Sequence, residues 1–476
     1  MRKANLHAAT LPLLLAACAV GRDYRPPALP ANSSAGSFVS AAAGTDSRPA
    51  QDQWWRLYDD PVLDRLVRQA FAANTDLRIA AANLDRAQAV LREAGAGRLP
   101  STSLSGGVSH GDAVPGQGGS GQAQWSYDAA LNVAWEVDLS GRIRRSIEAA
   151  RADAQASAAA QNRVAVTIAA ETARAYADAC ALAQAEEVAR RSIGIAQQGL
   201  DLTQTRQGAG AATQFDVERS AAALAETRAT LPVFIGRRQA RLFELAALLG
   251  LPPAQVPEDA RRCVVPPAPV ATIPVGDGAA LLARRPDMRE AERQLAADTA
   301  RIGVASADLY PRISLGGSGG FFRNDQVKGS DSFSFSIGPL LSWSFPNIAV
   351  ARARIAQAEA QTQGSLARFD GIMLTALKEV EQALAAYDAA GRRAEALDEA
   401  VRRADAAYRL ADRRYRAGAI SFLELLDSQR QLVSDESARS EAIQTLGSTR
   451  VDLFKALGGG WQSAPIDTSS RSAPAQ

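Results

Sequence analysis

The sequence predicts a mainly α-helical protein that also carries membrane-type β-strands and is built from two copies of one unit. Three observations lead to this fold class: an internal repeat, a very long proline-free helical stretch in each copy, and paired segments that alternate between apolar and polar residues. Hydrophobic residues make up 47% of the 476 residues but aromatics only 6%. Alanine therefore carries much of the apolar content, and it is the best helix former.

The repeat is visible as two series of matching residues. The first series has an offset of 211 residues and includes Asp76 with Asp287, Leu84 with Leu295, Pro100 with Pro311, and Leu104 with Leu315. The second has an offset of 208 residues and includes Trp135 with Trp343, Ile147 with Ile355, Gly210 with Gly418, Leu224 with Leu432, and Gly250 with Gly458. The offset changes in a polar, glycine-rich stretch, where a surface loop tolerates an insertion.

Each copy begins with a predicted helix, roughly 62–96 in the first copy, which Pro100 or Pro311 brings to an end. Two strands follow in each copy, because apolar and polar residues then alternate with a period of two. The strands are expected at about 101–113, 125–139, 312–323 and 332–345. Aromatic residues near the strand ends resemble a membrane-interface girdle. A soluble β-sandwich would alternate similarly, so the pattern alone leaves both possibilities open.

The strands are followed by a long helix, from about Gly141 to Thr205 in the first copy and from about Ala349 to Arg416 in the second. A helix of this length would extend about 100 Å. Each ends at a glycine-containing turn, Gly208–Thr213 or Gly418–Ser421. The Thr or Ser that closes each turn is well placed to cap the returning helix.

These elements predict a domain organisation. We expect an extended N-terminal segment (18–61), a first repeat (62–250), a proline-rich irregular connector (251–275), a second repeat (276–458) and a disordered tail (459–476).

The start of the chain predicts lipidation. Arg2 and Lys3 precede a short apolar run that ends Leu15-Ala16-Ala17-Cys18. This pattern is typical of a lipoprotein signal peptide over residues 1–17, with Cys18 acylated as the first mature residue. An ordinary signal peptide with an incidental cysteine is the alternative. The sequence contains no run of about 20 apolar residues, so a membrane-spanning helix is not expected.

The two remaining cysteines lie in different kinds of segment, Cys180 in an alanine-rich helix and Cys263 in the connector. Nothing in their spacing indicates a disulfide, and we expect buried thiols, although a bond between them stays open.

Composition and motifs argue against several other functions. The net charge of +2 arises from 53 basic and 51 acidic residues without a basic block, so nucleic-acid binding is not expected. His110 is placed at the end of a loop, and no Cys/His cluster has metal spacing. The glycine pattern at 116–121 lies in a predicted loop with no helix after it. We therefore expect no enzyme activity, cofactor or metal.

Four strands in one chain cannot close a barrel. Open sheet edges are not tolerated in lipid, because no water satisfies their backbone groups. Outer-membrane barrels begin at eight strands, which two chains would supply, whereas three chains would supply twelve.

Four stretches of the chain carry specific motifs. They are Val20-Gly21-Arg22-Asp23-Tyr24-Arg25-Pro26-Pro27 after the lipobox, Trp54-Trp55-Arg56-Leu57-Tyr58-Asp59-Asp60-Pro61, Arg284-Arg285-Pro286-Asp287, and the stretch from Arg414 to Arg430. Together they resemble the motifs of TolC-like outer-membrane efflux lipoproteins of the NodT type. The resemblance runs from Cys18 to about Gly460. It implies a homotrimer with a 12-stranded β-barrel in the bacterial outer membrane and a long 12-helix α-barrel in the periplasm.

The resemblance also implies partners and a function. They are a periplasmic adaptor (a membrane fusion protein) and an inner-membrane pump of the resistance–nodulation–division type, with the trimer as a passive duct for drugs or other small molecules. A duct for type I protein secretion and a periplasmic coiled-coil scaffold lipoprotein are the alternatives. The exported substrate stays open.

The resemblance further implies two sets of site residues. The periplasmic gate would comprise Tyr415, Leu423, Asp427 and Arg430, with Asp216 and Arg219 at the corresponding depth in the first copy. Leu423, Asp427 and Arg430 share one helix face, so three chains would form an apolar ring and an acidic ring. Alternatively, Asp427 and Arg430 form a solvated surface pair. Adaptor docking would involve Gly208, Gly210, Thr213, Gly418 and Ser421; otherwise these residues serve only the turns.

Overall fold

The computed structural model describes residues 20–28, 38–40, 42–111, 123–268, 272–346 and 348–461. The expected signal peptide, Cys18, the glycine pattern at 116–121 and the tail from residue 462 onwards lie outside these ranges. The chain divides into two compact units, considered separately below. The strand unit comprises Met1–Ala28, Asn83–Ala158 and Arg289–Gly371, and the helical unit comprises Leu29–Ala82, Ala159–Met288 and Ile372–Gln476.

The N-terminal segment contains β1 (Thr45–Asp46) and a 3-10 helix at Trp54–Tyr58. The first copy follows, with α1 (Pro61–Ala73), α2 (Thr75–Ala96), β2 (Ser101–Gly111), β3 (Gln124–Val137), α3 (Arg142–Gly208) and α4 (Gln214–Leu248). The connector holds a 3-10 turn at Pro253–Gln255, the short helix α5 (Glu258–Arg261) and β4 (Ile273–Pro274).

The second copy repeats the same order of elements. They are α6 (Gly278–Arg284), α7 (Pro286–Ala307), β5 (Arg312–Arg323), β6 (Phe333–Ser342), α8 (Ile348–Arg416) and α9 (Phe422–Ala456), with a 3-10 turn at Gly329–Ser332. The long helices α3 and α8 have 67 and 69 residues, which confirms the predicted long helices. None of the helices in the described ranges is long and apolar enough to cross a membrane.

The strand unit contains a four-stranded antiparallel sheet with the order β2-β3-β5-β6. Ser101 pairs with Ala134 in the first copy, and Arg312 pairs with Ser342 in the second. These pairs are related by the same offsets of 211 and 208 residues that relate the two sequences. Strands β3 and β5 join the copies, and β2 and β6 are the two free edges.

The two tryptophans matched in the repeat make the same hydrogen bond. Trp135 Nε1 donates to the Arg98 carbonyl at 2.9 Å, and Trp343 Nε1 donates to the Leu309 carbonyl at 3.3 Å. Both acceptors lie between the helix and the first strand of their copy. The duplication therefore extends from the sequence to individual side-chain contacts.

The helix predicted at 62–96 is two helices, because the chain is extended at Asn74. The Asn74 side chain accepts from the backbone N–H of Asp76 at 2.9 Å and donates to the Leu248 carbonyl at 3.1 Å. In the second copy Arg285 occupies this position and donates to the Ala456 carbonyl at 2.9 Å. Side chains that bind a distant helix end thus interrupt both helices, which periodicity could not show.

The core of the helical unit includes the aromatic residues around the 3-10 helix, where the segment 18–61 was expected to be extended. Trp54 is 1% exposed and stacks on Phe454 with ring centroids 4.6 Å apart. Gly459 and Gly460 pack against Trp54 and Trp55. Residues 459–461 were expected in the disordered tail, but they are packed against this core instead.

The connector contacts other parts of the helical unit at two places. Its strand β4 pairs in parallel with β1, and Cys263 forms a disulfide with Cys180 of α3, with an S–S distance of 2.01 Å and Cα atoms 5.0 Å apart. The expectation of two buried thiols is therefore wrong. The sequence separation of 83 residues gave no sign that the connector folds back onto α3. A disulfide fits an oxidising compartment such as the periplasm.

Candidate functional site

The two helix turns are built alike, and each ends in a capping box at the start of the returning helix. Thr213 Oγ1 accepts from the Asp216 N–H at 3.2 Å, and the Asp216 carboxylate accepts from the Thr213 N–H at 2.9 Å. Ser421 and Glu424 make the same two bonds at 3.3 and 2.8 Å. The predicted helix caps at Thr213 and Ser421 are confirmed.

Both turns use a glycine with positive φ, 75° at Gly210 and 71° at Gly418. Gly208 differs, since it is the last residue of α3 and is not among the positive-φ residues. A Cβ added at any of these three glycines would have no atom within 4 Å. The turns are therefore open to solvent in the isolated chain, as a docking surface requires.

The structure shows that Asp216 also takes part in the helix cap. Its carboxylate is engaged in the cap, and the N–H and hydroxyl of Thr213 hold the pKa of Asp216 below its ordinary value. By the 208-residue offset its counterpart is the capping Glu424 rather than Asp427. Arg219, expected beside Asp216 in the gate, has its guanidinium 5.6 Å from the Phe215 ring centre. The predicted place of Asp216 in the gate stays a prediction.

Leu423, Asp427 and Arg430 are all exposed on α9, while Leu425 and Leu426 on its other side are buried. The spacing therefore does place the three residues on one open face. The Arg430 guanidinium lies 4.0 Å from a Glu226 carboxylate oxygen on α4. This ion pair between hairpins differs from the surface pair with Asp427 considered from the sequence, and both partners are largely exposed.

Tyr415 does not share that open face. It is 3% exposed, and its ring lies 6.0 Å from the Phe422 ring. The Arg206 guanidinium lies 4.3 Å from the centre of the Tyr415 ring, and Arg206 Nη1 donates to the Tyr415 carbonyl at 2.8 Å. No sequence pattern singled out Arg206. Its equivalent in the second copy is Arg414.

Arg206 and Tyr415 belong to a series of contacts between α3 of the first copy and α8 or α9 of the second. Ser192 Oγ donates to Glu436 at 2.9 Å, and Lys455 lies 3.5 Å from Glu171. Arg174 forms an ion pair with Asp452. Polar contacts therefore join the two hairpins along much of the helical unit and reach the turns.

The described part of the chain offers no group of three His, Cys, Asp or Glu side chains that could hold a metal ion. His110, expected at a loop end, lies within β2, and its ring centre is 4.8 Å from that of Trp125. The two turns present capped helix ends, and the exposed face of α9 presents the apolar Leu423 and the acidic Asp427. These groups are suited to binding a partner and to gating a channel.

Two copies of one unit, which together form a four-stranded sheet and two helical hairpins of this length, define the class of outer-membrane channels. The chain belongs to the family described as outer membrane efflux protein, whose model matches residues 66–251 and 279–459. The two matched ranges correspond to the two copies.

Similar proteins support this assignment over nearly the full length. The pyoverdine export outer membrane protein OpmQ of Pseudomonas putida is 33% identical over 465 residues, covering 96% of this chain and 98% of that protein. Nodulation protein T of Rhizobium leguminosarum bv. trifolii is 31% identical, covering 94% and 96%. The solved outer-membrane channel OprN matches with a TM-score of 0.86 and 35% identity, covering 94% of this chain and 100% of that one. The protein is an outer-membrane efflux channel with the fold of the trimeric channels.

Proposed function

We propose that three copies of this chain form a passive duct that receives small molecules from an inner-membrane pump through a periplasmic adaptor. The observation that carries this proposal is the sheet β2-β3-β5-β6, whose two outer strands have no further strand partner among the described residues. An unpaired edge is not stable in lipid, because each unsatisfied backbone group costs several kcal/mol. Three sheets placed edge to edge provide twelve strands and no free edge.

The export of small molecules, including drugs, is proposed from the similarity to channels of this family. The name of the P. putida relative describes pyoverdine export. Energy and substrate choice would come from the resistance–nodulation–division pump and the adaptor, since function resides in sites and partners rather than in the fold. We further propose that Cys18 is acylated and attaches the chain to the outer membrane.

The gate is proposed to consist of Leu423 and Asp427, which three chains would present as an apolar and an acidic ring. Arg430 would stabilise the rings through its contact with Glu226. Tyr415 would act from behind this face, by joining α8 to Arg206 of α3. Asp216 and Arg219 keep their proposed places in the gate, near the corresponding turn of the first copy.

Adaptor docking is proposed at the two turns, with Gly208, Gly210 and Thr213 in one and Gly418 and Ser421 in the other. Support comes from the open space around the three glycines and from the rigid capping boxes that fix the turn shape. A partner helix end could approach the backbone closely at such positions.

The proposal is tested by extracting the native protein in detergent, measuring its mass by light scattering and recording currents in a planar lipid bilayer. We expect a particle of three chains of 50.1 kDa each, before loss of the signal peptide, that forms ion-conducting pores. A monomer without conductance would contradict the duct and favour the scaffold alternative. A conducting trimer would favour the secretion duct if deletion of its gene left drug susceptibility unchanged but blocked protein export.

A further inference from the structure

We infer that Phe215 of the first copy belongs to the constriction at the tip, where it forms one apolar ring with Leu423. This inference rests on the proposed trimer and gate, and it adds to that gate an apolar residue that no sequence pattern singled out. The surface that covers Phe215 is the same region of neighbouring copies of this chain.

The duplication makes Phe215 the counterpart of Leu423, since the two residues are related by the offset of 208 residues. Each is the second residue of its returning helix, because α4 begins at Gln214 and α9 begins at Phe422. A capping box precedes both helices. Phe215 and Leu423 therefore lie at the same distance along the helix from their turns.

Both side chains are exposed although they are apolar. Phe215 is 68% exposed in the single chain, and Leu423 is 45% exposed. One scattered apolar residue on a protein surface needs no explanation. Two at equivalent positions of the two copies, next to the same turn, indicate a surface that the assembled protein covers.

Arg219 and Glu226 lie on the same face of α4 as Phe215. They follow Phe215 by four and by eleven residues, and both spacings return to one face of a helix with about 3.6 residues per turn. The Arg219 guanidinium lies 5.6 Å from the centre of the Phe215 ring, which is within the range of a cation–π contact. From the turn inwards, this face of α4 presents an apolar, a basic and an acidic residue.

The open face of α9 is complementary to this face of α4. It presents the apolar Leu423, the acidic Asp427 and the basic Arg430 in the same direction, and Asp427 is the counterpart of Arg219 by the offset of 208 residues. The Arg430 guanidinium lies 4.0 Å from a carboxylate oxygen of Glu226 within the single chain. The two faces therefore already approach each other at one level.

Three chains would close the tip with six apolar side chains, three of Phe215 and three of Leu423. An apolar constriction closes a pore by excluding water, and a phenylalanine ring fills more of the lumen than a leucine side chain does. The next level would contain Arg219 and Asp427 from each chain, whose charges cancel. Such a tip would hold back cations and anions alike when it is closed.

The inference is tested by placing a thiol at this position in the full-length trimer. Phe215 is exposed in the single chain, so Phe215→Cys should leave the fold and the trimer intact. The chain has 3 cysteines, of which Cys180 and Cys263 form a disulfide and Cys18 is proposed to be acylated. The introduced thiol is therefore the one that a bulky methanethiosulfonate reagent modifies.

Single channels are recorded in planar lipid bilayers while the reagent is added. We expect Phe215→Cys to lose conductance in up to three steps, one for each chain, and Leu423→Cys to respond in the same way. The matched control is Phe243→Cys, because Phe243 is also exposed on α4 but lines a cleft beside the connector. It lies 243 − 215 = 28 residues further along the helix, about 42 Å away, and its modification should not change the conductance.

A second readout needs no reagent and decides the case in which the thiol does not react. Phe215→Ala should raise the conductance at rest, because it removes three rings from the constriction, whereas Phe243→Ala should not. Unchanged conductance in Phe215→Ala and in labelled Phe215→Cys, beside a loss in labelled Leu423→Cys, would overturn the inference and mark Phe215 as outer surface open to the adaptor. A protein that forms no pores at all would refute the duct itself, and the gate with it.

Discussion

The guanidinium of Arg206 lies 4.3 Å from the centre of the Tyr415 ring and donates a hydrogen bond of 2.8 Å to the Tyr415 carbonyl. This contact joins the last turn of α3 to the last turn of α8, immediately before both glycine turns. It connects the two hairpins of one chain at the level proposed for the gate. Its strength should therefore influence how readily the tip opens.

We expect Arg206→Ala to loosen the closed tip. The substitution removes a cation–π contact of about 0.5–2 kcal/mol and a charged hydrogen bond of similar size. A loss of about 1.4 kcal/mol or more would raise the open fraction roughly tenfold. Single-channel recordings in planar bilayers should show longer or larger openings.

Tyr415→Phe serves as the matched control for this contact. Arg206 uses the ring face and the backbone carbonyl, and both persist in phenylalanine. We expect Tyr415→Phe to conduct like the unmodified channel. Equal openings in all three proteins would show that this contact does not restrain the tip.

Asp427→Ala should increase conductance at rest and reduce the preference for cations. Three exposed carboxylates would form the acidic ring, and removing them lowers the attraction of the constriction for positive ions. Conductance and reversal potential in a salt gradient measure both effects. Asp427→Asn keeps the size and should change selectivity alone. Unchanged currents and drug susceptibility would leave Asp427 as a solvated surface residue.

Gly418→Val should abolish drug resistance while trimers still form. Gly418 has a φ of 71°, and a non-glycine residue in this region costs about 1–2 kcal/mol. The side chain would also occupy the open surface proposed for the adaptor. Minimum inhibitory concentrations report the loss of resistance, and light scattering reports the trimer. Gly194→Ala serves as the control, because Gly194 is an exposed residue within α3, outside both turns and without positive φ, and it should retain resistance. Transport that survives Gly418→Val would argue against docking there.

Removing the disulfide with Cys180→Ala and Cys263→Ser should lower thermal stability. The bond closes a loop with a sequence separation of 83 residues. The chain-entropy model assigns such a loop about 4–5 kcal/mol per chain. Melting followed by circular dichroism should show a lower Tm for the variant. Reductant should lower the Tm of the unmodified protein but not that of the variant, and equal melting of all samples would contradict a stabilising role.

Acid should release residues 38–40 from α8. The backbone N–H groups of Val39 and Ser40 each donate to the Glu381 carboxylate at 2.7 Å. Burial alone would raise the pKa of Glu381, but these donors outweigh it and hold the pKa below its ordinary value of 4.5. A lowered pKa means that this contact is complete above about pH 4.5 and is lost as the pH falls through the lowered value.

The protection of residues 38–40 and 42–46 against hydrogen exchange, measured by mass spectrometry and corrected for the intrinsic exchange rate at each pH, should therefore decrease below that pH. Glu381→Gln, which is neutral at every pH, should show the lower protection already at pH 7 and little further change in acid. Protection that does not depend on pH in the unmodified protein would exclude Glu381 as the group that holds this segment.

Local sequence patterns were sufficient to predict the helices and strands and part of the candidate site. Strand alternation, the absence of proline from the long helices and the Thr or Ser after each glycine turn depend on neighbouring residues, so the sequence predicted β3, α3 and the N-caps at Thr213 and Ser421. The sequence also revealed the duplication, because matching residues recur at constant offsets.

Tertiary structure alone decided which distant residues meet. Asn74 interrupts a periodic helix because its amide reaches Leu248, Cys263 returns to Cys180, and Tyr415 is covered by Arg206. The partners in these contacts are separated by 83 to 209 residues. Sequence periodicity reports which face of an element is apolar, but the partner of a single polar side chain depends on how the folded helices pack in space.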